Sequence, residues 1–111
     1  MSEVMSQNLP TLVQRTLHRL IRAFAPQQIL LFGSWAKGTT HDRSDVDLLI
    51  VADLPGNASV HTRRARQLAA DCFPRIDVVF ATPGEVLSAQ TAKSPFLASI
   101  LGSSVVVYRK S

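Results

Sequence analysis

Residues 30–51, "LLFGSWAKGTTHDRSDVDLLIV", join two apolar runs through a Gly-Ser step and a polar loop, and the second run opens on two aspartates one position apart. Side chains of an extended chain alternate between faces, so Asp45 and Asp47 leave the same face roughly 6–7 Å apart. Two carboxylates drawn to ~4 Å at an effective dielectric of about 20 repel by about 4 kcal/mol, a cost that a pKa shift, a basic neighbour or a bound cation must offset. Aspartate is also disfavoured in strands. Yet of the eight acidic residues in the chain, Asp45, Asp47 and Asp77 all fall at strand positions. Something other than folding has put them there.

Working outward, "LPTLVQRTLHRLIRAF" (9–24) spaces Leu9, Leu12, Val13, Leu17, Leu20, Ile21 and Phe24 as one face of a helix, with Pro10 in its first turn and Pro26 at its exit. "QILLF" (28–32) reads as a buried strand ended by Gly33-Ser34, and a helical turn is expected at 35–38 before the loop "GTTHDRS". The second strand is placed at 45–52, a helix at 59–73, and a third strand at 75–81. "TPGE" (82–85) has the pattern of a capping box and opens a helix to about Ala92. Ser94-Pro95 starts a further short helix ending at Gly102, and "VVVYR" (105–109) is a last strand. The order αβ(α)βαβααβ, without repeats, predicts an α/β (α+β) fold with a mixed β-sheet packed with helices.

At 111 residues the chain is expected to form a single domain, 1–111, with one core and no room for a second. No apolar run is long enough to span a membrane, and "MSEVMSQN" lacks the apolar stretch of a signal peptide, so the expected location is the cytoplasm. One cysteine excludes an internal disulfide, and Cys72, set among Ala69, Ala70 and Phe73, reads as a buried core residue rather than a nucleophile. Twelve Lys and Arg against eight Asp and Glu give a net charge of +4, which favours anionic partners such as nucleotides, nucleic acid or an acidic protein surface.

In the third strand Asp77 shares its face with Arg75 and Val79, while Ile76, Val78 and Phe80 point the other way. If the second and third strands are neighbours, Asp45, Asp47 and Asp77 converge at one edge of a sheet face. Three carboxylates suit a hard divalent cation such as Mg²⁺, and two such ions can clamp the attacking and leaving oxygens of a phosphoryl or nucleotidyl displacement. The Gly33-Ser34 turn supplies backbone N–H groups and a hydroxyl that can approach a phosphate closely. Gly-Ser alone and Asp-x-Asp alone are common features of turns and strand ends. Their conjunction at this spacing, with a third strand aspartate about thirty residues on, is specific.

"LFGSWAKGTTHDRSDVDLLIV" resembles the signature of the polymerase-beta-like nucleotidyltransferase superfamily, and the short chain resembles its minimal nucleotidyltransferase family, found as antitoxins beside HEPN-domain ribonuclease toxins. The resemblance extends from the strand at 28 to the strand at 109. It implies the polymerase-beta-like nucleotidyltransferase fold, with Gly33 and Ser34 on the triphosphate, Asp45 and Asp47 holding both Mg²⁺ ions, and Asp77 completing the catalytic metal site and assisting deprotonation of the acceptor hydroxyl. It further implies transfer of AMP from ATP to a tyrosine hydroxyl of the toxin. The other class of function is a stoichiometric antitoxin that masks its toxin without catalysis; nucleic acid enters only indirectly.

Several neighbours carry two readings. Lys37 and Arg43 are nucleotide-binding candidates that would neutralise phosphate, or else solvated loop charges. Trp35 either stacks near the nucleotide or packs on the short helix, the expected role. His41 is read as an exposed loop histidine rather than a base, and Asp42 and Asp53 as loop residues. Arg63, Arg64 and Arg66 make a basic helix face that meets solvent by default, or an acidic partner or RNA.

Overall fold

The computed structural model describes residues 2–4, 9–37, 45–89 and 95–110. His41, Asp42, Arg43 and the helix end expected at 90–92 lie outside them. In chain order the elements are β1 (Ser2–Val4), α1 (Thr11–Phe24), β2 (Gln28–Phe32), α2 (Ser34–Lys37), β3 (Val46–Val51), α3 (Ala58–Leu68), β4 (Ile76–Ala81), α4 (Pro83–Ala89), α5 (Pro95–Gly102) and β5 (Val105–Lys110). The described strands form one mixed sheet in the order β1-β5-β2-β3-β4. β3 runs antiparallel to β2 and parallel to β4, with α3 as the crossover between the parallel pair. The expected mixed sheet packed with helices is the one observed.

The alternation of each strand divides the interior into two layers. On one face Ile29, Leu31, Val46, Leu48, Ile50 and Ile76 meet Val13, Leu17, Leu20 and Phe24 of α1 and Ala65 of α3. On the other face Leu30, Leu49 and Val51 meet Val86 of α4 and Leu97 and Ile100 of α5. β3 contributes to both layers, so its residues from Leu48 to Val51 are apolar without a break, as a strand covered on both faces requires. Asp47 belongs to the α4/α5 face by this alternation, at the end of the strand where the apolar cover stops.

Three differences from the sequence reading have physical causes in the structure. β1 was not foreseen: a three-residue edge strand held by backbone pairing with β5 leaves no hydrophobic pattern in "SEV". α3 stops at Leu68 rather than continuing to 73, and the chain turns through a Cys72 N–H to Ala69 C=O bond of 3.0 Å. Pro74 disfavours helical geometry at Phe73, and Asp71 is held by Arg19 of α1 at 2.9 Å. α2 begins at Ser34, one residue early, with Ala36 N–H bonded to the Gly33 carbonyl at 3.2 Å. Elsewhere local chemistry acts as read. The Thr82 N–H donates to Glu85 Oε1 at 2.9 Å while the Glu85 N–H donates to Thr82 Oγ1 at 3.1 Å, a reciprocal capping box. Cys72 is buried, and Trp35 packs against the α1/α3 core.

α1 ends on Ala25, whose φ of 45° and ψ of 54° place it in the left-handed region while its N–H closes on Ile21 C=O at 2.9 Å. A Cβ in that conformation costs roughly 1 kcal/mol that glycine does not incur. Ala25 is exposed, so its side chain forfeits no core packing. Ala25→Gly is therefore expected to raise stability by about 0.5–1 kcal/mol in urea unfolding, with an unchanged m-value; a loss of stability would show that the left-handed cap carries no strain.

Candidate active site

The parallel pairing of β3 with β4 sets Asp47 level with Asp77, and the antiparallel pairing of β2 with β3 sets Phe32 level with Asp47. Gly33 therefore leaves β2 beside the first carboxylate of β3. Asp45 lies just before β3, and the Val46 N–H, bonded to Arg75 C=O at 2.7 Å, fixes the start of the parallel pair. Gly33, Ser34, Asp45, Asp47 and Asp77 are thus gathered at one end of the sheet by β2 finishing where β3 and β4 begin. Lys37 closes the one-turn helix that follows Ser34.

Gly33 has a φ of 76°, a conformation L side chains rarely adopt, and a Cβ built on it would run into Asp47 Oδ2 and stand 3.2 Å from Asp47 Cγ. The carboxylate rests directly over the glycine backbone, leaving no space for a side chain. This contact ties the Gly-Ser turn to the aspartate pair across fourteen positions of sequence.

Asp47 is also the electrostatic focus. Its pKa is raised above the ordinary carboxylate value, first by burial and then by the negative charges of Asp77 and Asp45. Asp47 therefore feels the charge of both other carboxylates. Among the described residues no group of three or more acidic, histidine or cysteine side chains is placed to hold a metal ion by itself. An all-oxygen set at an open strand end nonetheless fits Mg²⁺, which keeps several waters and takes few protein carboxylates alongside phosphate oxygens. Arg75, exposed and one residue before β4, was not singled out as a site residue, although its i, i+2 spacing puts it on the face of Asp77. It brings positive charge to the same strand end. A cavity of about 110 Å³, lined in part by Leu54, His61, Phe80 and Glu85, lies at the opposite ends of β3 and β4 and includes none of the aspartates.

The sequence of residues 15–111 matches the family model described as polymerase beta, nucleotidyltransferase. The chain belongs to the polymerase beta nucleotidyltransferase family. Among functionally curated proteins none matches the sequence. Similar solved structures include a toxin–antitoxin with AMP-PNP, at a TM-score of 0.59 and 24% identity over 88% of this chain and 74% of that one. A nucleotidyltransferase-like protein from Sulfolobus solfataricus aligns with a TM-score of 0.58 and 18% identity over 86% and 75% of the two chains. A mutant of the toxin–antitoxin MntA-HpeT aligns with a TM-score of 0.57 and 23% identity over 88% and 73%. These likenesses show that the polymerase beta nucleotidyltransferase chain shares their fold.

Two predictions follow from the contact and the charge. Gly33→Ala is expected to destabilise the protein by roughly 1–3 kcal/mol through its left-handed backbone and the clash with Asp47. In an Asp47→Ala background the clash partner is gone, so a double-mutant cycle by chemical denaturation should show part of that loss recovered; strict additivity would mean that the two residues do not press on each other. The second concerns pH. Because the folded pKa of Asp47 lies above its unfolded value, this group contributes stability that is full below the ordinary carboxylate range and lost as pH rises through the raised value. Asp47→Asn should therefore melt above wild type at neutral pH, with the gap closing toward about pH 4. A variant melting below wild type at pH 7 would assign that carboxylate a structural role.

Proposed function

We propose that this nucleotidyltransferase is an antitoxin that uses Mg²⁺ and ATP to transfer AMP to a hydroxyl, of tyrosine type, on a cognate HEPN-family ribonuclease toxin in the cytoplasm. The reading rests above all on one observation, the in-register pairing of Asp47 with Asp77 beside a glycine turn that admits no side chain. It is supported by the match to the nucleotidyltransferase model, and by fold neighbours that are toxin–antitoxin pairs, one of them with AMP-PNP.

In this reading Asp45, Asp47 and Asp77 hold two Mg²⁺ ions. When bound, the ions neutralise the triphosphate and polarise the reacting phosphorus. The Gly33 and Ser34 N–H groups and the Ser34 hydroxyl donate to the phosphates, while Lys37 and Arg43 offset charge that the aspartates would otherwise repel. Asp77 accepts the proton of the incoming hydroxyl. The acceptor oxygen forms its bond to the α-phosphorus, the bond from that phosphorus to the bridging oxygen breaks, and pyrophosphate leaves with the electron pair.

Positioning of the acceptor supplies much of the rate in such a transfer, and it must then come from the surface of the toxin itself. The isolated protein with MgATP is accordingly expected to label small hydroxyl compounds poorly and to add whole AMP units to the toxin, read by intact mass spectrometry of the mixed proteins. The modified toxin should stay inactive once this protein is removed, because a covalent adduct does not dissociate. Should the Asp45→Asn/Asp47→Asn variant protect cells from the toxin as well as wild type, with no mass shift in the toxin, protection arises by masking and the catalytic reading fails.

A further inference from the structure

The face of the sheet opposite the aspartates is covered by α1 and α3, and these two helices carry six of the chain's cations, all of them arginine: Arg15, Arg19, Arg22, Arg63, Arg64 and Arg66. The helices run antiparallel. Arg19 of α1 reaches the Leu68 carbonyl at 3.3 Å and Asp71 at 2.9 Å beyond the C-terminal end of α3, while the Arg64 guanidinium lies 5.5 Å above the ring of Phe24 at the end of α1. Positions 15, 19 and 22 form one stripe along α1, on the side away from its buried residues Val13, Leu17, Leu20 and Phe24. Among the described residues Asp71 is the only carboxylate in an ion pair with this layer; it bonds Arg19, and the charge of Arg15 also acts on it. Arg15, Arg22, Arg63, Arg64 and Arg66 are exposed.

Charge is thus sorted by face: carboxylates at one strand end on the α4/α5 side, arginines over the α1/α3 side. We infer that the α1/α3 face binds double-helical nucleic acid through its phosphates. Guanidinium groups match phosphate oxygens in pairs, which the ammonium group of lysine does not. A protein partner would seek an aromatic or aliphatic centre, yet Phe24 is buried beneath Arg64, and the exposed aliphatic residues, Leu12 and Val60, stand in the first turns of two antiparallel helices and so at opposite ends of the layer. Single strands are gripped by successive exposed aromatic platforms, and neither helix exposes a Phe, Tyr or Trp; the exposed Phe73 beyond α3 is a single ring. With the aspartates on the opposite face, a polyanion is steered toward the arginines and leaves the candidate active site open. Contacts of this kind go to the backbone and carry no sequence preference.

Fluorescence anisotropy of the full chain with a labelled 24-base-pair DNA duplex, the RNA duplex of the same sequence and the matching DNA single strand, titrated over a range of salt, tests this. Expected are binding to both duplexes within a few-fold of each other, weaker binding to the single strand, and a slope of log K against log salt of about −4 for DNA, one unit per phosphate neutralised. Arg15→Gln/Arg22→Gln/Arg63→Gln should weaken duplex binding by at least about tenfold and reduce the slope by about 3, whereas the same three positions changed to lysine should keep most of it. An unchanged thermal melt of the glutamine variant separates lost contacts from lost structure; if that variant unfolds, the lysine variant and the wild-type salt slope still decide. No duplex binding at low salt, tighter binding to the single strand, or equal binding by the glutamine variant would overturn the assignment. So would more effective displacement of the duplex by poly-glutamate than by unlabelled duplex at equal charge, which would point to an acidic protein.

Discussion

Parallel pairing of β3 with β4 is the constraint from which the rest of the site follows, because it puts two like charges level on adjacent strands. A parallel pair requires a crossover, and α3 supplies it while covering the face away from the carboxylates. The apolar run from Leu48 to Val51, buried on both sides, anchors β3 firmly enough for its first residues to tolerate an unfavourable electrostatic position. Burial and neighbouring negative charge both disfavour the ionised form of Asp47. The fold spends packing energy at one end of the strand to hold chemistry at the other.

Gly33 shows the same logic at the level of the backbone. A left-handed residue at the end of β2 turns the chain sharply into α2, and the absence of a Cβ lets the Asp47 carboxylate lie over the turn. Turn and carboxylate are parts of one packed unit, so the spacing seen along the sequence between the Gly-Ser step and Asp-x-Asp is a consequence of the antiparallel register of β2 and β3.

What could be read in advance was what periodicity and local side-chain chemistry encode. The spacing of Val13, Leu17, Leu20 and Phe24 located α1, Thr82 with Glu85 located the start of α4, and alternation assigned Asp77 to the face opposite Ile76 and Phe80. The neighbouring placement of Asp47 and Asp77 could be stated only conditionally, since strand order is set by tertiary packing. β1 was invisible because backbone hydrogen bonds with β5 leave no mark on side-chain type. The early end of α3 depends in part on Arg19, forty-nine residues from the Leu68 carbonyl it binds, a contact that a local window holding Pro74 does not contain. Arg75 was assigned to the face of Asp77 by its spacing, but its place at the same strand end as Asp45 became visible only with the parallel register.

The short strand β1 has a bearing on how the molecule keeps its sheet to itself. By pairing with Tyr108, Arg109 and Lys110 it occupies hydrogen-bonding groups that β5 would otherwise present to other chains. Three residues are a light cover, and the strand beneath it ends in two exposed cations. Edge-to-edge stacking of copies thus meets mutual repulsion between arginine and lysine even when the cover lifts, a two-tier safeguard against polymerisation along that side of the sheet.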